Sequence, residues 1–244
     1  VSDLLSEERR TDYLDTVANE YVRVRESFGA RQRKEDRLTI KDARANAHLL
    51  SADGLAQPKQ PGLRVLRDVP LASLVPYIDW SPFFASWDLH GRYPAILEDK
   101  IVGEAATSLF QDAQKTLETL LAEGWFQGHA VCGLFPANRD GDDIVVWTDE
   151  SRKEERCRFH SIRQQMNKKG KGNNVALSDF VSPTGPDWIG AFAVTAGHGE
   201  DEAVAKFNDA GDNYSSIMAS ALADRFAEAM AEWLHEKVRR EFWG

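Results

Sequence analysis

The sequence predicts an α+β fold. Two long segments carry an apolar stripe of helical period, short apolar runs bounded by turn residues read as strands, and the two kinds of element do not alternate as a doubly wound sheet requires. The strands are therefore expected to pair antiparallel, with helices packed against them.

The elements follow in order. Leu14, Val17, Ala18, Tyr21 and Val22 recur at helical spacing among charges, which predicts a helix from about Ser6 to Ser27 with Gly29 as its stop signal. The stretch Arg31 to Arg37 is polar and charged. Thr39, with Asp42 three residues on, has the spacing of a cap for a short helix. Pro58, Pro61 and Gly62 mark a linker. Residues 1–65 thus read as a helical lead-in, and residues 66–244 as a compact domain whose packed part begins near Val69.

Within that domain, Ala106, Leu109, Phe110, Ala113, Leu117, Leu120 and Leu121 form one stripe, so residues 104–123 are predicted helical and Gly124 ends them. Ala130 to Phe135 reads as a strand that Pro136 closes, because proline cannot donate to a ladder. Asn138 to Asp142 reads as a turn longer than the tightest hairpins, with Ile144 to Trp147 returning. Cys157 to Ile162 is either a strand or a helix start, Lys168 to Asn174 a loop, and Trp188 to Thr195 a strand. From about Asp212 to Phe242, Met218, Leu222, Phe226, Met230, Trp233 and Lys237 keep one face, with the stem of the last buried rather than its charge.

Composition narrows the function classes. A formal net charge of -9 argues against non-specific nucleic-acid binding, which needs cations to neutralise phosphates. No apolar run approaches the roughly 20 residues that span a bilayer, and Val1 to Arg10 has no signal-peptide pattern; the two cysteines fit a reducing, cytoplasmic setting, which is the one expected. Cys132 and Cys157 lack partners at zinc-ligand spacing and are expected to pack. The six histidines form no HxH or HExxH cluster, and no protein-ligated metal is expected.

Several residues carry competing readings. Gly197-His198-Gly199 follows a strand and precedes an acidic helix start; it is either a plain turn or the beginning of a nucleotide-binding fingerprint that lacks its third glycine. Asp79 is a lone acid in Tyr77-Ile78-Asp79-Trp80-Ser81-Pro82-Phe83-Phe84, where a carboxylate needs a partner. It either caps a helix beginning near Pro82 or meets a cationic ligand. Glu228 lies about 120° from the Leu222 stripe on a flank shared with Ile217, Ala221 and His235, either solvated or lining a groove. Asn138 and Arg139 end a strand, in a ligand-facing loop or a self-bonded turn. Lys168, Lys169 and Lys171 form a small basic loop, solvated or facing phosphate or an acidic partner protein. No nucleophile–base arrangement stands out, and no catalytic residue is assigned.

The strings themselves carry a resemblance. The Tyr77 to Phe84 segment, Gly91-Arg92-Tyr93-Pro94, Gly133 to Arg139, Asp142-Asp143-Ile144, Arg163-Gln164-Gln165, Asp187 to Phe192, Ala221 to Arg225 with Glu228, Trp233 to Glu236, and Phe242-Trp243-Gly244 resemble, in order, the motifs of the activation domain of cobalamin-dependent methionine synthase. The match runs over about residues 70–244, and the lead-in resembles the helical run that joins this domain to the cobalamin domain.

The resemblance implies a C-shaped α+β domain with a bent antiparallel sheet that binds S-adenosylmethionine. It implies reductive reactivation of cob(II)alamin to methylcobalamin, with cobalamin held by a neighbouring domain and an electron from flavodoxin or a related reductase. Asp79 matches the family's ligand-binding aspartate, and Glu228 matches an acid near the ligand. The family's Arg-Pro-x-Pro-Gly-Tyr-Pro motif, whose Arg binds the ligand carboxylate, is not in this sequence. A missing charge-assisted contact costs roughly 1.5–3 kcal/mol, so weakened binding and an inactive isolated chain are expected. The other reading the resemblance leaves open is a docking domain that caps the corrinoid without binding the methyl donor.

Overall fold

The computed structural model describes residues 6–31, 37–48, 50 and 54–244. Its contacts divide into two compact units, residues 1–50 with 161–180, and residues 51–160 with 181–244.

The smaller unit contains helices α1 (Glu7–Arg31) and α2 (Ile40–Ala45). Helix α1 follows the predicted spacing and runs past Gly29, a residue a helix tolerates at a cost of about 1 kcal/mol. The charged stretch after it lies largely outside the described residues. Helix α2 starts as Thr39 and Asp42 predict: the Thr39 hydroxyl accepts the Asp42 N–H and donates to the Asp42 carboxylate. Arg37 bridges to Met166, and Leu38 N–H donates to Gln165 O. At the centre of this unit a buried Arg163 forms two 2.7 Å bonds with the buried Asp179, and also donates to Asn174 O at 2.6 Å.

The larger unit is a five-stranded antiparallel sheet with helices against one face, the predicted class. Its strands are β1 (Gly62–Val69), β2 (Gln127–Asp140), β3 (Asp143–Trp147), β4 (Glu155–His160) and β5 (Asp187–His198). Its helices are α3 (Trp80–Ser86), α4 (Gly103–Glu123), α5 (Glu200–Asp209) and α6 (Asn213–Lys237), the last running on into a π-turn at Val238–Phe242. Strand β1 opens at Gly62, where proline and glycine had marked a linker. Its alternation is hidden in the sequence because Arg64 stands on the face that Leu66 shares.

The long β2 organises the sheet. It pairs with β5 from Gln127↔His198 to Ala137↔Asp187 along one flank. Along the other it pairs first with β1, up to Leu134↔Gly62, and then with β3, from Ala137↔Val146. Pro136 therefore does not end the strand. It falls in the gap between two partners on that flank, where a missing N–H interrupts no ladder. The β2–β3 hairpin is also tighter than predicted. Asp140 pairs with Asp143 across two residues, and Gly141 (φ 62°) occupies the first loop position, the pattern of a type II′ turn.

The core lies between the sheet and the helices. Helix α4 buries Ala106, Leu109, Ala113, Leu117 and Leu120, the predicted stripe, and Gly124 ends it in a left-handed cap. Each fully buried Leu or Phe contributes about 1.5–3 kcal/mol over leaving it in water. Helix α6 adds Met218, Leu222, Phe226, Met230 and Leu234. At its last predicted position the charge, not only the stem, is engaged: the Lys237 ammonium stands 5.5 Å from the Trp233 ring centroid and 5.8 Å from that of Phe242, and it pairs with Glu241. Cys132 is buried, as packing requires, but Cys157 is exposed on β4, which has no covered face at that position.

Candidate functional site

Helix α6 and the facing residues of β2 and β5 leave a groove open along the sheet. It comprises two adjoining cavities of about 340 and 590 Å³ that share Phe192, His235 and Arg239. The smaller is floored by Cys132, Leu134 and Gly190 and closed by Trp243. The larger is bounded by Tyr77, Glu228, Glu232 and Glu236. Their sizes suit a ligand of nucleoside dimensions.

The groove exists because α6 presents two faces. Residues 218, 222, 226 and 230 face the core, while Glu228, Glu232, His235 and Arg239 follow one another at spacings of four, three and four on the adjacent flank. The sequence placed Glu228 and His235 on a common flank, and both line the larger cavity. Phe192 comes from β5 at a stretch, Gly190–Ala193, that is exposed throughout, and its ring stands 6.1 Å from that of His235.

Most charges in the groove are already matched. Glu228 is paired with Arg225 one turn back. Glu236 accepts from Tyr77 Oη at 2.5 Å and from Arg240 Nε at 2.9 Å. The hydrogen bond to Glu236, more than burial, pushes the Tyr77 phenol up from its ordinary value, so Tyr77 stays a neutral donor at physiological pH. Burial raises the Cys132 thiol, with nearby Arg64 opposing, so this sulfur is a floor atom and not a thiolate.

Of the two roles the sequence leaves open to Asp79, the structure shows the helix cap. Asp79 is exposed, and it caps α3: its Oδ1 accepts the Ser81 N–H at 2.9 Å. Trp80, Phe83 and Phe84 turn inward as a helix phase of one and three to four residues dictates, leaving the cap outside. Asp79 stands two residues beyond the groove-lining Tyr77.

The other candidates resolve into structure. Asn138 is buried and fully used: it donates to Ser182 O and Gly185 O, and accepts from Trp147 Nε1 and Arg152 at 2.9 Å each. That knot ties the end of β2 to the start of β5, so Asn138 has no capacity left for a ligand. Gly199 is the turn between β5 and α5, with φ of 102° and a backbone pressed against Trp125 O. Lys168 donates to Asn173 O, while Lys169 and Lys171 are exposed. Among the described residues, no group of three or more His, Cys, Asp or Glu side chains could hold a metal ion, and no helix is long and apolar enough to cross a membrane.

What the sequence reading missed are Phe192, Arg239 and Tyr77 as groove walls. Periodicity gives a residue's face on its own element, not which element lies opposite.

Two comparisons bear on this groove. The family model for "vitamin B12 dependent methionine synthase, activation domain" matches residues 70–244. A solved structure, the MetH reactivation domain bound to AdoHcy, is 44% identical with a TM-score of 0.80; the match covers 85% of this chain and 65% of that one. This chain thus spans just under two thirds of that relative's length.

Proposed function

The chain belongs to the activation-domain family of vitamin B12 dependent methionine synthase, and from that premise we propose that its groove binds S-adenosylmethionine for the reductive reactivation of cob(II)alamin to methylcobalamin, in the cytoplasm. The corrinoid, held by a neighbouring cobalamin domain, supplies the cobalt that receives the methyl group once an electron has arrived. Residues 1–65 serve as the lead-in and 66–244 as the domain proper.

The observation that carries the proposal is a groove that joins an aromatic wall to carboxylates, in a chain 44% identical to a domain solved with the demethylated form of this ligand. Phe192 offers a flat face for a purine. Glu228 offers an acceptor to a ribose hydroxyl or to the ligand's positive end. Asp79 contributes from the rim. One of its oxygens is committed to Ser81 N–H, and the other has no hydrogen bond among the described residues. The protein's part is to hold the ligand with its methyl group directed outward, which is catalysis by proximity.

The test is calorimetry with S-adenosylmethionine on the 244-residue chain and on one extended to the length of the solved relative. Heat of binding is expected in both, weaker in the shorter. Asp79→Asn keeps the helix cap, because Asn caps as well as Asp, and so isolates the charge. It is expected to weaken binding about three- to ten-fold, as is Glu228→Gln. Absence of binding in both chains would sink the proposal in favour of a docking domain that caps the corrinoid.

We also propose that the exposed Lys169 and Lys171 contribute to docking an acidic flavodoxin or related reductase. Reversing both charges is expected to lower reductase affinity at low salt and to have little effect at high salt.

A further inference from the structure

Of the three groove glutamates, Glu228 is paired with Arg225, and Glu236 is held by Tyr77 and Arg240. Glu232 lies between them on the same flank of α6, one turn or about 6 Å along the axis from each. It makes no hydrogen bond or ion pair among the described residues. The same cavity is walled by the rings of Phe192 and Tyr77. The groove thus combines one uncommitted carboxylate with two aromatic side chains, and with Arg239, a cation two turns further along the helix that makes no hydrogen bond or ion pair among the described residues either.

That combination suits a particular kind of cation. An ammonium carries N–H donors and is best met by hydrogen-bond acceptors. A sulfonium has no N–H, is weakly hydrated, and gains from a carboxylate at contact distance and from the negative faces of aromatic rings. Glu228 and Glu236 have their charge largely offset by their arginine partners, and Glu232 does not. We propose that Glu232 reads the positive charge on the ligand's sulfur and so discriminates S-adenosylmethionine from its neutral thioether product, S-adenosylhomocysteine. The inference rests on the groove being the S-adenosylmethionine site, and it adds a selectivity role for a residue the family resemblance does not point to. Its consequence for turnover is directional: loss of the methyl group removes the charge that Glu232 holds, and the product is released more easily than the substrate.

The test compares the two ligands on one protein. Affinities for S-adenosylmethionine and S-adenosylhomocysteine are measured by calorimetry for the wild type and for Glu232→Gln, in the chain extended to the length of the solved relative. Both ligands carry the same ammonium, carboxylate, ribose and adenine, so they differ only in the S-methyl group and the charge it places on sulfur. Glu232→Gln is expected to weaken S-adenosylmethionine about five- to ten-fold and to change S-adenosylhomocysteine by less than about two-fold. Glu228→Gln, measured alongside, is expected to move both ligands together. A Glu232→Gln variant that weakens both ligands equally, or neither, overturns the inference while leaving the groove as the site. A wild-type protein that binds neither ligand overturns the reading of the groove itself, and this inference with it.

Discussion

Arg163→Ala is expected to lower the stability of the smaller unit by about 3–5 kcal/mol, the usual cost of leaving one partner of a buried ion pair alone. The side chains of Arg163 and Asp179 are 2% and 0% exposed, and they meet through two parallel bonds of 2.7 Å. The same guanidinium donates to Asn174 O, and the same carboxylate accepts Ala176 N–H. Removing the arginine takes both 2.7 Å bonds from a buried carboxylate and removes the donor to Asn174 O. Asp179→Ala is expected to be as damaging. A joint Arg163→Met, Asp179→Leu replacement is expected to cost clearly less than the sum of the two, because it removes the desolvated charges together. Hydrogen exchange at the amides of residues 174–179, alongside thermal unfolding, reads the effect. A loss below about 1 kcal/mol for Arg163→Ala would show that the pair is solvated in solution.

The second large effect is expected at Gly199. Its φ of 102° lies where a side chain is strained, and a Cβ there would stand 2.2 Å from Trp125 O, a backbone atom that cannot rotate away. Strain in the left-handed region costs about 1–2 kcal/mol, and forced displacement of a packed segment adds about 1–3 kcal/mol. Gly199→Ala is therefore expected to destabilise the larger unit by about 2–5 kcal/mol, read by chemical denaturation. Gly197→Ala is the control. Its Cβ would meet only ordinary or slightly tight contacts, at 3.4 Å from Glu200 Oε2 and 3.5 Å from Ala223 Cβ, and its φ is not in the left-handed region. A small loss at 197 and a large one at 199 mark a turn glycine. Equal small losses at both would remove the close approach to Trp125.

The physical difference between these two sites explains what could be read in advance. The glycines of Gly197-His198-Gly199 are visible as a turn in any sequence, but only the fold brings the carbonyl of Trp125 against one of them. In the same way, Arg163 stood out only within a matched string, because nothing local distinguishes a buried arginine from a solvated one.

The sequence by itself determined the elements whose signals are local. The stripes of α4 and α6 are set by apolar period, the start of α2 by a hydroxyl and a carboxylate three residues apart, and the end of α4 by Gly124. It also determined family membership, through ordered strings long enough not to arise by periodicity alone. It placed Glu228 and His235 on one flank, because a helix fixes the angular relation of its own residues. Tertiary structure alone decided the rest. Pro136 continues a strand because two different partners share one flank of β2 and leave a gap at that point. Asp79 is an exposed helix cap, because its three aromatic neighbours turn inward from a helix that begins just after it. Which glutamate in the groove is already paired, and which is free to meet a cation, depends on Arg225, Tyr77 and Arg240 arriving from their own positions. Desolvation and pairing are properties of what stands opposite a residue, and a linear sequence specifies that only through the fold.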